Sequence, residues 1–195
     1  DHQGCQRDDL SSRFGVSAAT ISRAVALLLE KALVIETGSH VACAGRKPLW
    51  IEVNPKLATL LGLEIDTDRV TAVVIDMSGT LLGRGAVRID ANQGLGAVLR
   101  AGRQAVSCAL NDGRVARRQI GRLGVGHPGA LDLNRGLCVV RLDVAGWTDV
   151  PLRSKLQETF HMEVTLDDRS RAIALGEHCT SPEDGKHPNA IYVQV

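Results

Sequence analysis

The sequence predicts an α/β protein in two parts, a small head with a helix-turn-helix over residues 1–53 and a larger mixed-sheet domain over residues 54–195. Two observations carry this prediction. The first thirty residues contain a helix-turn-helix pattern. Beyond Asn54-Pro55, three apolar runs rich in β-branched residues are followed by alternating helical and strand periodicities. Strands in a meander followed by strand–helix alternation are typical of a mixed sheet covered by helices.

The helix-turn-helix pattern lies between Leu10 and Leu29. Leu10 and Phe14 are four residues apart and therefore share one face of a first helix. Gly15 permits the tight turn, and Ser17 is of the residue type that caps the start of a second helix. A buried stripe on that helix is predicted from the apolar residues at helical spacing, which are Ile21, Val25, Leu28 and Leu29.

The remaining side of the second helix is small and polar, which indicates a helix that enters the major groove of DNA. The predicted DNA-contacting residues of this helix are Ser17, Ala18, Ala19, Thr20, Ser22 and Arg23. Small side chains allow a close approach to the base edges, where Thr20, Ser22 and Arg23 can bind phosphates or bases. The alternative is an ordinary helical hairpin in a protein core.

A β-hairpin is predicted directly after the second helix, as in a winged helix-turn-helix. Leu33–Thr37 is β-prone, residues 38–40 suit a turn, and Val41-Ala42 begins the return. The following Gly45-Arg-Lys-Pro48 segment is extended and cationic. Arg46 and Lys47 either contact DNA, as an arm in a narrow minor groove, or form a solvated linker turn. Leu49–Val53 reads as a further strand.

The larger domain is predicted to alternate strands and helices along the chain. Strands are predicted at 60–65, 70–77, 81–89, 120–125, 164–166 and 190–195, and helices at 95–110, 152–160 and 172–179.

The composition is typical of a cytoplasmic globular protein, with 44% hydrophobic and 23% charged residues and no run long enough for a membrane span. A net charge of +1 is too small for a general polyanion binder, so contact with DNA is expected to be local. Five cysteines without a CxxC pair predict neither disulfides nor a zinc site. The absence of an initial methionine and an end inside a predicted strand suggest a fragment.

The order of these parts resembles the repressors of the ROK family, which join a winged helix to a sugar-kinase-like, actin-related domain. The likeness is carried by Gly45-Arg-Lys-Pro48, Asn54-Pro55, Leu61-Gly-Leu-Glu-Ile65, Leu123-Gly-Val-Gly-His-Pro-Gly-Ala-Leu-Asp132, Gly146-Trp-Thr-Asp-Val-Pro-Leu152 and Val164-Thr-Leu-Asp-Asp-Arg-Ser-Arg-Ala-Ile-Ala-Leu-Gly-Glu177. The resemblance implies an incomplete copy, because the family's second half, with a further phosphate loop, a zinc motif and much of the dimer interface, is not in this sequence.

Two positions distinguish this chain from the family's ATP-dependent sugar kinases. Where the kinases have a glycine-rich phosphate loop, this chain has Glu64-Ile-Asp-Thr-Asp68, and the Asp66 carboxylate opposes a phosphate there. The kinases' catalytic Asn-Asp pair aligns with Asp168 and Arg169. Arginine stays protonated and cannot act as the general base. The sequence therefore predicts no catalytic residue, no cofactor and no metal.

Asp168 and Arg169 are the predicted sugar-binding residues, since a site can keep its ligand after losing its chemistry. The alternative is that they pair with each other at the end of a strand. The sequence as a whole predicts a non-enzymatic regulator, in the sense of a repressor, of sugar metabolism. Its expected partners are an operator in double-stranded DNA, a small sugar or sugar-phosphate effector, and a second copy of the full-length chain. A sugar kinase and an inactive fragment are the alternatives.

Overall fold

The computed structural model describes residues 4–38 and 49–180, which divide into two compact units. One unit takes the described part of residues 1–57 and the turn Met77–Gly79, and the other takes the rest. Arg46, Lys47 and the predicted strand at 190–195 lie outside the described residues. The domain boundary after residue 53 stays a prediction.

The smaller unit contains two helices and a two-stranded sheet, α1 (Arg7–Phe14), α2 (Ala18–Glu30), β1 (Val34–Gly38) and β2 (Leu49–Val53). Gly15 follows α1 in the left-handed conformation, with φ 63°, which glycine adopts at no steric cost. The Ser17 Oγ accepts a hydrogen bond from the Thr20 N–H at 3.2 Å. The predicted turn and helix cap are confirmed.

Three buried residues, Ile21, Val25 and Ile51, form the core of this unit, and Leu10, Leu29 and Val34 pack against them. The predicted burial of Leu28 is wrong, because 38% of it is exposed, and Phe14 is 65% exposed. The buried stripe of α2 is therefore narrower than the sequence predicts, with Ile21 and Val25 buried and Leu29 half-buried.

β1 pairs antiparallel with β2, with Val34 opposite Val53 and Gly38 opposite Leu49. The segment predicted only as a further strand is therefore the hairpin partner of β1. The predicted return strand at Val41-Ala42 falls outside the described residues.

The larger unit runs in chain order through β3 (Thr59–Ile65), β4 (Arg69–Asp76), β5 (Leu81–Arg88), α3 (Leu95–Asp112), β6 (Ile120–His127), β7 (Ala130–Asp132), β8 (Leu137–Val140), β9 (Thr148–Val150), α4 (Leu152–Phe160), β10 (Glu163–Asp168) and α5 (Arg169–Thr180). Five of these strands form one sheet in the order β10-β6-β3-β4-β5. β3, β4 and β5 are antiparallel neighbours, whereas β6 runs parallel to both β3 and β10. The predicted mixed sheet is confirmed.

The two faces of this sheet are covered differently. Leu61, Leu63 and Ile65 alternate inward along β3 into a core that includes Val106 of α3 and Phe160 of α4. On the opposite face, a Cβ on Gly126 of β6 would lie 3.6 Å from the Arg169 Cα, so α5 starts close to that strand.

Close approach of α3 to the edge strand β5 requires two glycines. A Cβ on Gly85 would lie 2.7 Å from the Cys108 Cβ and would overlap the Ala105 carbonyl oxygen. Gly83 meets the backbone of Ala109 in the same way. The glycines at alternate positions therefore set the distance between helix and sheet.

A second, three-stranded antiparallel sheet has the order β7-β8-β9 and was not predicted. Its strands have three or four residues each, too short for a clear alternating pattern. Within the described residues, no single helix has the length and apolar character to cross a membrane, although α1 and α2, bent by 118°, meet that test as a pair.

Candidate functional site

A cleft lies at one edge of the five-stranded sheet, where its parallel strands end. Asp66 follows β3, Pro128 follows β6 and Arg169 follows β10. Because parallel strands carry their carboxyl ends to the same edge, these connections meet there, which is where ligands bind in many α/β proteins. The cleft has a volume of about 400 Å³ and is lined by Asp66, Thr67, Pro128, Gly129, Ala130, Val140, Leu142, Asp143, Arg169 and Ser170.

Arg169, the first residue of α5, is held by carboxylates at the end of β3. Its guanidinium forms an ion pair with Asp66, and its Nε lies 3.7 Å from the Glu64 Oε1. The Arg169 side chain is 13% exposed, compared with 38% for that of Asp66. The two positions at which the chain departs from the kinase pattern therefore contact each other.

Asp168 does not pair with Arg169, and that alternative is wrong. The Asp168 Oδ1 accepts a hydrogen bond from the Arg171 N–H at 3.0 Å and so satisfies an amide in the first turn of α5. Asp168 is half-buried and is not among the residues that line the cleft. Of the two predicted sugar-binding residues, the structure brings only Arg169 into the cleft, and sugar binding by either one stays a prediction.

Thr67, next to Asp66, is bound to a different part of the molecule. Its Oγ1 donates to the Asp143 Oδ2 at 2.6 Å and accepts from the Arg141 Nη2 at 2.8 Å. Arg141 also donates from Nε to the Asp143 Oδ1 at 3.0 Å. These hydrogen bonds from Arg141 and Thr67 lower the pKa of the Asp143 carboxyl to about 2.

Arg141 belongs to a buried cluster behind this network. Only 2% of it is exposed, and its Cζ lies 5.7 Å from the ring centroid of buried Trp147. The His127 ring stacks on Trp147 with the two centroids 5.1 Å apart. Burial, followed by the positive charge of Arg141, lowers the pKa of His127 to about 4. His127 is therefore uncharged at neutral pH.

Several buried nitrogen atoms of this cluster have no hydrogen-bond partner within the described part of the chain. They are both ring nitrogens of His127, the Arg141 Nη1 and the Trp147 Nε1. Arg141 was not identified from the sequence. An arginine is ordinarily exposed, and the only signal in the sequence is Asp143 two residues later.

The predicted DNA-contacting residues of α2 lie together on its exposed side. Ala18, Ala19, Thr20, Ser22 and Arg23 are all exposed, as is Ser17, which caps the helix. The Ser17 Oγ and Thr20 Oγ1 are 2.9 Å apart, so Thr20 takes part in the cap as well as facing solvent. Among the described residues, no group of three or more His, Cys, Asp or Glu is placed to hold a metal ion.

This fold is shared with sugar kinases and with regulators related to them. The structure is similar to that of a ROK family transcriptional regulator, a homologue of the E. coli MLC protein, with a TM-score of 0.60 and 18% identity over 90% of this chain and 44% of that one. It is also similar to the ROK hexokinase of Thermus thermophilus, with a TM-score of 0.54 and 29% identity over 62% of this chain and 38% of that one.

The ROK family profile matches residues 60–195, and the chain belongs to the ROK family. It is 24% identical to the xylose repressor of Caldicellulosiruptor bescii over 195 residues, which is 100% of this chain and 48% of the repressor. The chain thus spans about half the length of the curated relatives it matches.

Proposed function

We propose that this chain is part of a sugar-responsive transcriptional repressor, in which α2 reads an operator in double-stranded DNA and the cleft binds a sugar without chemistry. The observation that carries the proposal is the exposed, capped and polar side of α2, whose opposite side is buried against β2. The similarity to a xylose repressor along the whole chain supports it.

The recognition helix acts through its first turns. Ser17 caps the N-terminus of α2. The small side chains of Ala18 and Ala19 allow the helix backbone to approach a base edge closely. Ser22 and Arg23 supply a hydroxyl and a guanidinium for bases or phosphates. Arg46 and Lys47 would add backbone contacts from the segment that follows β1.

The charge of the cleft favours a neutral sugar over a sugar phosphate as effector. The carboxylates that line it, Asp66 and Asp143, are each paired with an arginine already, Arg169 and Arg141, so among the described residues of the cleft no unpaired guanidinium is left for a phosphate. A phosphate group would meet two carboxylates, whereas hydroxyl groups donate to carboxylates and accept from a guanidinium. The wall provided by Leu142, which is 94% exposed, offers an apolar surface to the carbon atoms of a sugar ring.

Phosphoryl transfer is the rival function, since solved ROK kinases share the fold. The pairing of Asp66 with Arg169 argues against it. Arg169 stays protonated and cannot accept a proton from a sugar hydroxyl, and Asp66 places a carboxylate, paired with Arg169, where the kinases have a glycine-rich phosphate loop. We therefore propose that the cleft is an effector site and that the full-length protein acts as a cytoplasmic homo-oligomer. A bound sugar would change the distance between the two DNA-binding helices of that oligomer.

Fluorescence anisotropy on a duplex taken from upstream of the coding region tests the proposal. Ser22→Ala with Arg23→Ala is expected to weaken binding at least about tenfold, because contacts to bases are worth about 1–3 kcal/mol each. Thr165→Ala with Arg118→Ala removes the same two groups from exposed positions in the larger unit and serves as the control. Equal affinity of the two double variants would exclude α2 as the reading helix.

A further inference from the structure

A basic surface lies on the face of the sheet that α3 does not cover. β4 and β5 pair so that Arg69 lies directly opposite Arg88, and both are exposed. Side chains alternate along β5, and Gly83 and Gly85 face α3, so Arg84 and Arg88 belong to the opposite face, although Arg88, on the edge strand, also lines a cavity with Asp90 and Arg100. Arg69, Arg84 and Arg88 define what we call the arginine face.

Within the described residues, no ion pair reaches any of the three guanidinium groups of the arginine face, although Asp68 precedes Arg69 and Asp90 lies two residues after Arg88. On the neighbouring strand β3, the acid on this face is Glu64, which lies opposite Thr71. Its carboxylate, however, is drawn towards Arg169, with 3.7 Å between Oε1 and Nε. Asp112 accepts from the backbone N–H of Arg84 and leaves its guanidinium unpaired.

The arrangement costs stability, and the described residues show no ion pair that offsets this cost. Like charges directly opposite each other on neighbouring strands are destabilising, because their Cβ atoms are only about 5 Å apart. The middle of the face is flat, with Thr71 opposite Ala86 between the Arg69–Arg88 pair and Arg84. A flat surface with guanidinium groups at both ends suits a row of phosphates, which arginine binds through two parallel hydrogen bonds.

We propose that the arginine face binds the phosphate backbone of duplex DNA, as a second contact besides α2. The inference rests on the proposed function, since DNA bound by α2 would supply the phosphates that the arginine face binds. Contacts to phosphates carry no sequence information, so this face would add affinity to any duplex and leave the choice of operator to α2.

Salt dependence of duplex binding tests this proposal. Arg69→Gln, Arg84→Gln and Arg88→Gln are combined in one variant, and Arg103→Gln, Arg118→Gln and Arg135→Gln form a control that loses the same charge from exposed positions elsewhere. Binding to a mixed-sequence duplex is measured by anisotropy between about 50 and 200 mM salt, where each phosphate contact contributes about 0.9 to the slope of log K against log salt.

The arginine-face variant is expected to lose about 2 to 3 units of that slope relative to the control, with affinity lower by at least about tenfold at the low-salt end. Its melting temperature should not fall, because the repulsion between Arg69 and Arg88 is removed. Identical slopes for the two variants would overturn the proposal. The proposal would also be overturned if the arginine-face variant bound polyglutamate less tightly while the salt dependence of its duplex binding was unchanged. The face would then bind an acidic polypeptide.

The Ser22→Ala, Arg23→Ala variant separates this inference from the proposed function. If it loses operator binding while the arginine-face variant matches its control, α2 reads DNA and the second contact is wrong. If the arginine-face variant alone loses binding, the surface contacts DNA and α2 is not the reading helix. A wild-type chain that binds no duplex would contradict both.

Discussion

Arg169 at the start of α5 forms an ion pair with Asp66 at the end of β3, across 103 residues of sequence. Each stands at a position where the sequence departs from the pattern of the family's kinases. Together they satisfy each other, because the guanidinium neutralises the carboxylate that would otherwise stand unpaired in the cleft. A neutral substitution at one of these positions therefore leaves the charge at the other without this partner.

A double-mutant cycle measures this relationship. Asp66→Asn and Arg169→Gln are expected to couple by about 1 kcal/mol in the free energy of unfolding, since one partner is largely buried and the other is partly exposed. The measurement is urea denaturation of both single variants and the double variant. The exposed pair Arg122–Glu163, with side chains 65% and 61% exposed, is the control and should couple near zero. Equal coupling of the two pairs would contradict the structure.

The buried His127 should make the larger unit sensitive to mild acid. Its pKa is about 4 in the fold and 6.5 when unfolded, so the unfolded chain binds more protons between these values. Stability is therefore full above about pH 6.5 and falls with pH down to about 4, by about 3 kcal/mol in total.

His127→Phe keeps a ring against Trp147 and should flatten that part of the pH profile of unfolding, followed by urea denaturation at a series of pH values. His178→Phe, at an exposed position in α5, should leave the profile as in the wild type. If the free energy of unfolding of the His127 variant still falls between pH 6.5 and 4, the pH dependence comes from other groups. Asp143, with its pKa near 2, loses its contribution only below its unfolded value of 3.8.

Gly85→Ala should be strongly destabilising. The added methyl group would overlap the Ala105 carbonyl oxygen, and α3 would have to move off β5. We expect a loss of about 1–3 kcal/mol in the free energy of unfolding, as for other overpacked cores. Gly121→Ala places the same group on β6 with nothing within 4 Å and should be neutral. Similar melting temperatures for the two variants would show that α3 can move away from β5 at little cost in stability.

Ser17→Ala should weaken DNA binding by loosening α2 rather than by removing a contact. Loss of the cap costs about 0.5–2 kcal/mol, whereas glycine at this position costs only a few tenths. Ser17→Asp restores an acceptor for the Thr20 N–H. We expect the melting temperature of the smaller unit to be highest for the wild type and Ser17→Asp, lower for Ser17→Gly and lowest for Ser17→Ala. The same stability for alanine and aspartate would contradict a capping role.

Periodicity was sufficient to predict the long elements of the larger unit. β3, β4, β5, α3 and α4 lie within two residues of their predicted ranges, because each is long enough to show its alternation or helical spacing. The strands β7, β8 and β9 are too short to carry such a signal. They exist because neighbouring strands supply their hydrogen bonds, and pairing of this kind is not visible in one segment alone.

The candidate cleft was predictable only in part. The resemblance drew attention to Asp66 and Arg169 separately, but nothing in the sequence indicates that they touch. Arg141 was missed because its burial depends on Thr67, 74 residues earlier, and on Trp147 behind it. Long-range pairs between charged residues follow from how strands are ordered in the sheet, which the local pattern does not contain.

Asp66 and Thr67 are joined by one peptide bond, yet Asp66 is tied to α5 and Thr67 to the connection between β8 and β9. Contacts from both α5 and the Asp143 segment therefore reach one peptide, so a displacement of either segment strains the hydrogen bonds of the other. A ligand that pulls on either one has its effect transmitted across the whole width of the cleft through a step of less than 4 Å between neighbouring Cα atoms.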